Sequence, residues 1–178
     1  PDAPGLWPAA PDNIAFRWSS GDFAALDSII ATAAHTARLD FKVSRVTTNS
    51  LEPRMVLAEP NVAGKLLVTA SNQSPHALRD NLANWLKSDA GLIRVVCPDV
   101  GGSFGMKSGL YREDAAVAWA ARKTGMPIRW VATRSEGLMT DDTARDVQVD
   151  AALALDKDGR FLGLKVRCDL NLGAYLTG

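Results

Sequence analysis

The chain has 178 residues, of which 47% are apolar and 22% charged, and its formal net charge is +0. This length fits one domain or two small ones, and the balanced charge argues against binding to nucleic acid or to a membrane surface. No apolar run approaches the roughly 20 residues that span a bilayer. Cys97 and Cys168 lie far apart without a CxxC pair. We therefore expect two buried, reduced thiols, and neither a disulfide framework nor a zinc site.

Residues 1–21 are predicted to be a proline-rich linker. Four prolines fall within the first eleven residues, a composition that favours extended chain. The segment lacks the basic and apolar regions of a signal peptide, and we expect the chain to be part of a longer one. A helix is then predicted from the N-cap Asp22, followed by a long strand over His35–Thr48, a strand around Met55–Ala58 and a turn at Asn61–Gly64.

Two similar strand–loop–helix units follow. In the first, "KLLVTAS" leads through "NQ" to a helix capped by Ser74, whose spacing predicts one buried stripe of Leu78, Leu82, Trp85 and Leu86. In the second, "LIRVVCP" leads through "DVGGSFGMKSG" to an alanine-rich helix that ends at Gly125. If the two strands are parallel neighbours, Gln73 and the glycine-rich loop lie close together, at the sheet edge where α/β proteins tend to bind ligands.

The remaining sequence is rich in strands. "PIRWVAT" predicts a short buried strand, and the acidic pair Asp141 and Asp142 indicates a solvated loop. "DVQVDAALALDKDGRFLGLKVRCDLNLGAY" predicts a β-hairpin, because alternating runs flank "DKDG". Hairpins and crossover units together give an α+β fold with a mixed sheet, and the pattern leaves open whether there is one sheet or two.

The glycine-rich loop matches neither common nucleotide motif. Met106 stands where a phosphate-binding loop of the G-x-x-x-x-G-K-[ST] type needs its second glycine, and Ser103 interrupts the dinucleotide pattern G-x-G-x-x-G. Phe104 lies between Ser103 and Gly105, and an aromatic side chain in such a loop is not fully explained as core. A tight structural turn and a ligand-binding loop both remain open, and the second is favoured.

Four motifs in order resemble the molybdopterin-binding large subunit of the xanthine dehydrogenase / aldehyde oxidase / carbon monoxide dehydrogenase family. They are "TTNSLEPRMVLAE", "LLVTASNQSPHALRDNLA", "VVCPDVGGSFGMKSGLYREDAAVAWAARKTGMPIRWVATRSE" and the hairpin sequence. The similarity covers nearly the whole chain after the proline-rich start. It implies a molybdenum-cofactor-binding-domain-like fold, with residues 22–178 as part of the first molybdopterin-binding domain.

The resemblance also implies a role for each matched residue. The family's glutamine at the molybdenum centre falls on Gln73, and its glycine loop against the molybdopterin falls on Gly101, Gly102, Ser103, Phe104 and Gly105. Gln73 and Phe104 are therefore expected near molybdenum, with no direct protein ligand to the metal. Ser103 stands where the family often has glycine, and its hydroxyl is expected near the pterin.

Met106, Lys107 and Ser108 follow the loop on the expected substrate side. Xanthine-type members carry a substrate-binding glutamate at the position of Ser108, so the resemblance argues against a purine substrate. Glu52 matches a position near the substrate path. An equally good interpretation is that Glu52 forms a buried ion pair with Arg54 or Arg45.

The resemblance implies an oxidoreductase that hydroxylates or oxidises an aldehyde, an N-heterocycle or a carbon monoxide-like substrate. The expected cofactor is molybdenum with molybdopterin, as the cytosine dinucleotide in a bacterium, and electrons leave through 2Fe-2S clusters to FAD on partner subunits. The remainder of the large subunit, including the base glutamate, is expected beyond Gly178, so this chain alone is expected to be inactive. A cytoplasmic location is expected, with the periplasm left open. The alternative is a non-catalytic structural or interaction module without a cofactor.

Overall fold

The computed structural model describes residues 4–10, 12–61 and 63–175. Residues 1–3 and 11 of the predicted linker, residue 62 of the predicted turn and residues 176–178 of the predicted domain lie outside the described residues. The described elements are, in chain order, α1 Phe23–Thr32, β1 His35–Thr47, β2 Met55–Pro60, β3 Leu66–Ala70, α2 Pro75–Leu86, β4 Ile93–Val96, α3 Arg112–Thr124, β5 Ile128–Val131, α4 Arg134–Thr140, β6 Thr143–Leu155 and β7 Phe161–Leu170. Short 3₁₀ turns cover Ala90–Leu92 and Met106–Ser108.

The chain divides into two compact units. Residues up to 45 and from 145 onward form the first unit, and residues 46 to 144 form the second. The strands form two sheets, one of three strands in the order β1-β6-β7 and one of four in the order β4-β3-β2-β5. The α+β prediction with mixed sheets and a C-terminal hairpin is confirmed, and the strands within the described residues form two sheets.

The first unit contains the predicted helix and hairpin. Asp22 caps α1 by accepting a hydrogen bond from the backbone N–H of Ala25 at 2.9 Å. Strands β6 and β7 pair antiparallel from Val147–Leu170 to Leu155–Phe161, with an irregularity at the turn end. Cys168 lies on β7 and is exposed, so the expectation of two buried thiols is wrong there. The alternation in β7 is regular, but its face with Cys168 has no covering element among the described residues of this unit.

The second unit contains the core on which the site is built. Strands β3 and β4 are parallel, with Leu66 opposite Ile93, whereas β2 pairs antiparallel with both β3 and β5. Helix α3 packs against β2, and the small side chains of Ala118 and Ala121, both 0% exposed, allow the helix to lie close to the strand. The remaining core side chains are Val56, Ala58, Leu66, Val68, Ala70, Leu78, Leu82, Ala83, Ile93 and Val117.

Three local predictions for the second unit are wrong in detail. On α2, Leu78 and Leu82 are buried but Trp85 is 57% exposed, because its position falls at the margin of the apolar stripe. Ser74 occupies the N-cap position without a side-chain capping bond. Strand β5 alternates between half-buried and exposed residues, as expected of an edge strand rather than a buried one.

None of the helices in the described parts of the chain combines the length and the apolar character that a membrane-crossing helix needs.

Candidate functional site

The candidate site lies at the carboxyl ends of β3 and β4. Because these strands are parallel neighbours, with Thr69 opposite Val96, the segments that follow them leave the same edge of the sheet. Gln73 lies in the segment between β3 and α2, and the glycine-rich loop of residues 101–105 follows β4. The predicted approach of the two segments is therefore confirmed by the strand pairing.

A closed set of hydrogen bonds joins the two segments. The backbone N–H of Gln73 donates to the carbonyl oxygen of Lys107 at 2.8 Å. The backbone N–H of Lys107 donates to Oγ of Ser103 at 2.8 Å, and the Ser103 hydroxyl donates to Oε1 of Gln73. Both the main chain and the side chain of Gln73 are thus held by the loop.

These bonds also determine which way the Gln73 amide faces. A carbonyl oxygen only accepts and an amide nitrogen only donates, so the hydroxyl proton of Ser103 requires Oε1 on its side. The Nε2 group then faces away from Ser103 as a donor, and no partner for it occurs among the described residues. Gln73 is exposed, which leaves this donor accessible at the surface of the second unit.

The loop backbone adopts conformations that glycine favours. Gly102 and Gly105 have φ values of 100° and 94°, and Phe104 between them has φ 53°, in the left-handed region. A Cβ atom at Gly102 would lie 3.3 Å from Cβ of Ser50. The Phe104 ring is 78% exposed, so it contributes little to the core, in agreement with the expectation from the sequence.

The buried side chain of Lys107 holds the glycine-rich loop in place on its interior side. The Lys107 side chain is 0% exposed, and its Nζ donates to the carbonyl oxygen of Glu52, to Oε2 of Glu52 and to Oγ of Ser71, each at 2.8 Å. Oε2 of Glu52 also accepts from the hydroxyl of Ser71 at 2.5 Å and from the backbone N–H of Gly101 at 2.7 Å. One carboxylate oxygen, on the segment before β2, therefore bonds to Ser71 after β3 and to Gly101 and Lys107 on either side of the loop.

The ion pair at Glu52 corrects one expectation. Glu52 pairs with Lys107 rather than with Arg54 or Arg45, because Arg54 has other partners and Lys107 turns inward. Burial disfavours the Glu52 carboxylate, but the hydrogen bonds from Lys107, Ser71 and Gly101 outweigh burial, and the pKa of Glu52 lies below its ordinary value.

Arg54 forms a second buried charge cluster that the sequence did not predict. Its Nε donates to Asp141 at 2.6 Å and its Nη1 to Glu113 at 3.0 Å, and its guanidinium lies 3.7 Å from the centre of the Tyr111 ring. Asp141 ends α4, where a solvated loop was expected. Its side chain is 6% exposed, so the prediction of solvation is wrong for Asp141. The acidic neighbours raise the pKa of Arg54 above its ordinary value even though burial opposes its charge.

Tyr111 connects this cluster with the loop. Its hydroxyl donates to the carbonyl oxygen of Met106 at 2.9 Å and accepts from the backbone N–H of Asp142 at 3.2 Å. The hydrogen bonds of Tyr111 could not be predicted from the sequence, because they depend on where α3 and α4 lie in three dimensions. The sequence offers one indirect indication, a tyrosine directly before an acidic first helical turn.

Among the predicted site residues, Gly102 and Glu52 are half-buried, and the others fall into two groups. Gln73, Gly101, Phe104, Gly105 and Ser108 present exposed atoms at the sheet edge, and the Ser108 hydroxyl donates to the Gly105 carbonyl at 2.8 Å. In contrast, the side chains of Ser103, Met106 and Lys107 are buried, which gives them supporting positions. The substrate-side assignment of Met106, Lys107, Ser108 and Glu52 stays a prediction, as does the cofactor assignment of Gln73 and residues 101–105.

The exposed donor set fits a molybdenum cofactor. Among the described residues, the backbone N–H groups of Phe104 and Gly105 have no acceptor, and they accompany the Nε2 group of Gln73. A set made of uncharged hydrogen-bond donors suits oxygen- or sulfur-rich groups that carry negative charge. No atom lies within 4 Å of a Cβ built at Gly105, so the loop is open on that side.

Comparison with known proteins identifies the family. The model of the molybdopterin cofactor-binding domain family matches residues 6–178, and the chain belongs to that family. The "6-hydroxypseudooxynicotine dehydrogenase complex subunit gamma" of Paenarthrobacter nicotinovorans is 35% identical over 150 residues, which are 84% of this chain and 19% of that protein. The carbon monoxide dehydrogenase large chain of Hydrogenophaga pseudoflava is 34% identical over 164 residues, 92% of this chain and 20% of that protein.

Solved structures give the same result. Reconstituted CO dehydrogenase from Oligotropha carboxidovorans matches with a TM-score of 0.79 and 31% identity, over 85% of this chain and 19% of that chain. Quinoline 2-oxidoreductase from Pseudomonas putida 86 matches with a TM-score of 0.77 and 33% identity, over 80% and 18%. The resemblance noted from the sequence is confirmed, and the chain spans about a fifth of the length of these relatives.

Proposed function

We propose that this chain holds one side of a molybdopterin cofactor within a molybdenum-dependent oxidoreductase. Gln73 and residues 101–105 form the contact surface, residues 22–178 form part of the first molybdopterin-binding domain, and residues 1–21 lead into it as a linker. The observation that carries this proposal is the pairing of β3 with β4, which brings Gln73 and the loop together and leaves their donors exposed.

The residues of this chain bind and orient the cofactor. When bound, the cofactor supplies the two-electron redox chemistry. Nε2 of Gln73 and the backbone N–H groups of Phe104 and Gly105 would hold it by hydrogen bonds, and the exposed Phe104 ring would shield one side of it from water. The general base is a glutamate on a segment outside this chain, so the chain alone is inactive and acts by positioning.

The finer assignments follow from the relatives. The relatives include a carbon monoxide dehydrogenase, a nicotine 6-hydroxylase and a quinoline 2-oxidoreductase, and we assign the parent enzyme a carbon monoxide-like, N-heterocyclic or aldehyde substrate. We also assign the cytosine dinucleotide form of the cofactor, with 2Fe-2S and FAD on partner subunits. Cys97 and Cys168 are free thiols, as expected in the cytoplasm, where we place the enzyme.

Metal analysis of the intact protein that carries this chain tests the proposal. We expect about one molybdenum per chain and cytidine monophosphate released on mild acid hydrolysis. The variant Gln73→Ala removes one neutral hydrogen bond, worth about 0.5–1.5 kcal/mol, and should weaken cofactor retention about two- to tenfold.

Gln148→Ala is the matched control, because Gln148 lies on β6 and donates to Asp40 within the first unit. Retention in this variant should equal that of the unmodified protein. An intact preparation without molybdenum would refute the proposal and support a non-catalytic module, and iron and flavin analyses of the same preparation test the partner assignment.

A further inference from the structure

The Ser103 hydroxyl makes its hydrogen bonds to other residues of the protein. The residue is 5% exposed. Its oxygen accepts from the backbone N–H of Lys107 at 2.8 Å, and its proton goes to Oε1 of Gln73. Its hydrogen-bonding capacity is therefore directed at the protein rather than outward. A glycine at this position could make neither bond with a side chain.

We propose that Ser103 is a positioning residue that fixes the orientation of the Gln73 side-chain amide, and this inference rests on the proposed function of Gln73. Exposed glutamine side chains ordinarily sample both amide orientations, because the terminal torsion is broad and roughly two-fold. The bond from Ser103 selects the orientation in which Oε1 faces inward and Nε2 faces outward. A cofactor contact then meets a donor that is already oriented.

The opposite orientation is disfavoured by hydrogen-bond chemistry. With the amide reversed, Nε2 would donate to the Ser103 oxygen, which already accepts from Lys107. The hydroxyl proton would then lack an acceptor at a position 5% exposed to solvent, and an unpaired buried donor is costly. The backbone bond from Gln73 to Lys107 holds the main chain in place in both cases, so the serine acts on the side chain alone.

Nuclear magnetic resonance of the 178-residue chain measures how tightly the Gln73 side-chain amide is held in this orientation. The sequence contains two glutamines, Gln73 and Gln148, so labelling with side-chain ¹⁵N-glutamine gives two NH₂ groups, which Gln148→Asn assigns. We expect the Gln73 side-chain order parameter to be about 0.8 in the unmodified chain and to fall below about 0.6 in Ser103→Ala. The variant Ser103→Thr keeps the hydroxyl and should restore the higher value.

Ser108→Ala is the matched control, because it removes a hydroxyl of the turn that follows the loop, and this hydroxyl donates to the Gly105 carbonyl and not to Gln73. It should leave the Gln73 signal unchanged. The inference is overturned if Gln73 is as ordered in Ser103→Ala as in the unmodified chain. It is also overturned if Gln73 is already mobile in the unmodified chain, a measurement that needs no variant to fold. No cofactor enters this experiment, so its result is independent of the molybdenum analysis that tests the proposed function.

Discussion

Replacing Glu52 by glutamine should destabilise the second unit by about 3 kcal/mol. The change leaves the Lys107 ammonium, 0% exposed, without its carboxylate partner while two uncharged acceptors remain. Removing one member of a buried ion pair typically costs about 3–5 kcal/mol. We expect the lower end of that range because the Glu52 side chain is 28% exposed.

Urea unfolding followed by tryptophan fluorescence measures this cost. Substituting Trp7 and Trp18 by phenylalanine leaves three tryptophans, at positions 85, 119 and 130, all within the second unit. In this background, Lys107→Met should lower the free energy of unfolding less than Glu52→Gln does. The methionine removes the buried positive charge, whereas Glu52→Gln leaves that charge buried without its carboxylate partner. The double variant should cost clearly less than the two single costs combined.

The pair formed by Arg79 and Asp80, also in the second unit, is the control for a general charge effect. Both side chains are at least one-third exposed, so Asp80→Asn should cost at most about 1 kcal/mol. The pKa of Glu52 is lowered from 4.5, so the advantage of the unmodified chain over Glu52→Gln should shrink as the pH falls below that value. A cost for Glu52→Gln below about 1 kcal/mol, or additive single costs, would refute the reasoning.

Three further variants test other parts of the second unit by the same unfolding assay. Burial raises the pKa of Asp114 from 3.8 to about 6 despite a bond from a backbone N–H. The folded state therefore binds more protons between these values, and stability should fall by about 3 kcal/mol as the pH rises through them. Asp114→Asn should lack this fall, and parallel pH curves would contradict the prediction. A Cβ at Gly101 would lie 2.6 Å from Cβ of Glu52, so Gly101→Ala should lower the free energy of unfolding by about 1–3 kcal/mol. Gly109→Ala is its control, because no atom of the described residues lies within 4 Å of a Cβ there, and its effect should stay within about 0.5 kcal/mol. Equal costs for the two variants would exclude the steric explanation. Arg54→Lys keeps the charge but loses the planar fork and the aromatic stacking, and should cost about 2 kcal/mol; a neutral effect would show that charge alone holds the cluster.

Sequence patterns predicted the parts of the fold that depend on local periodicity and turn chemistry. Asp22 as a cap, Gly125 as a helix end and the hairpin around "DKDG" each involve residues close together in the chain. The sequence did not establish that β3 and β4 are parallel neighbours, so the approach of Gln73 to the glycine-rich loop was predicted on that condition. The family resemblance supplied the site residues, because nothing in the spacing alone distinguishes a cofactor loop from a tight turn.

What the sequence did not predict depends on long-range packing. Lys107 follows a glycine-rich loop and was placed on the substrate side, yet its side chain is buried against Glu52, 55 residues away in the chain. The ion pair of Arg54 with Asp141 spans 87 residues. Charged residues have no periodic signature when a partner buries them, so only the three-dimensional arrangement identifies the pairs.

The division into two units has a consequence for the order of events during synthesis. The second unit is one uninterrupted segment, residues 46 to 144, whereas the first needs segments from both ends of the chain. Because domains fold largely as units while the chain emerges, the sheet edge with Gln73 can form as soon as β5 has left the ribosome. The three-stranded sheet has to wait for β6 and β7. A nascent chain whose residues up to 144 have emerged from the ribosome would therefore already carry the candidate binding loop in its folded form.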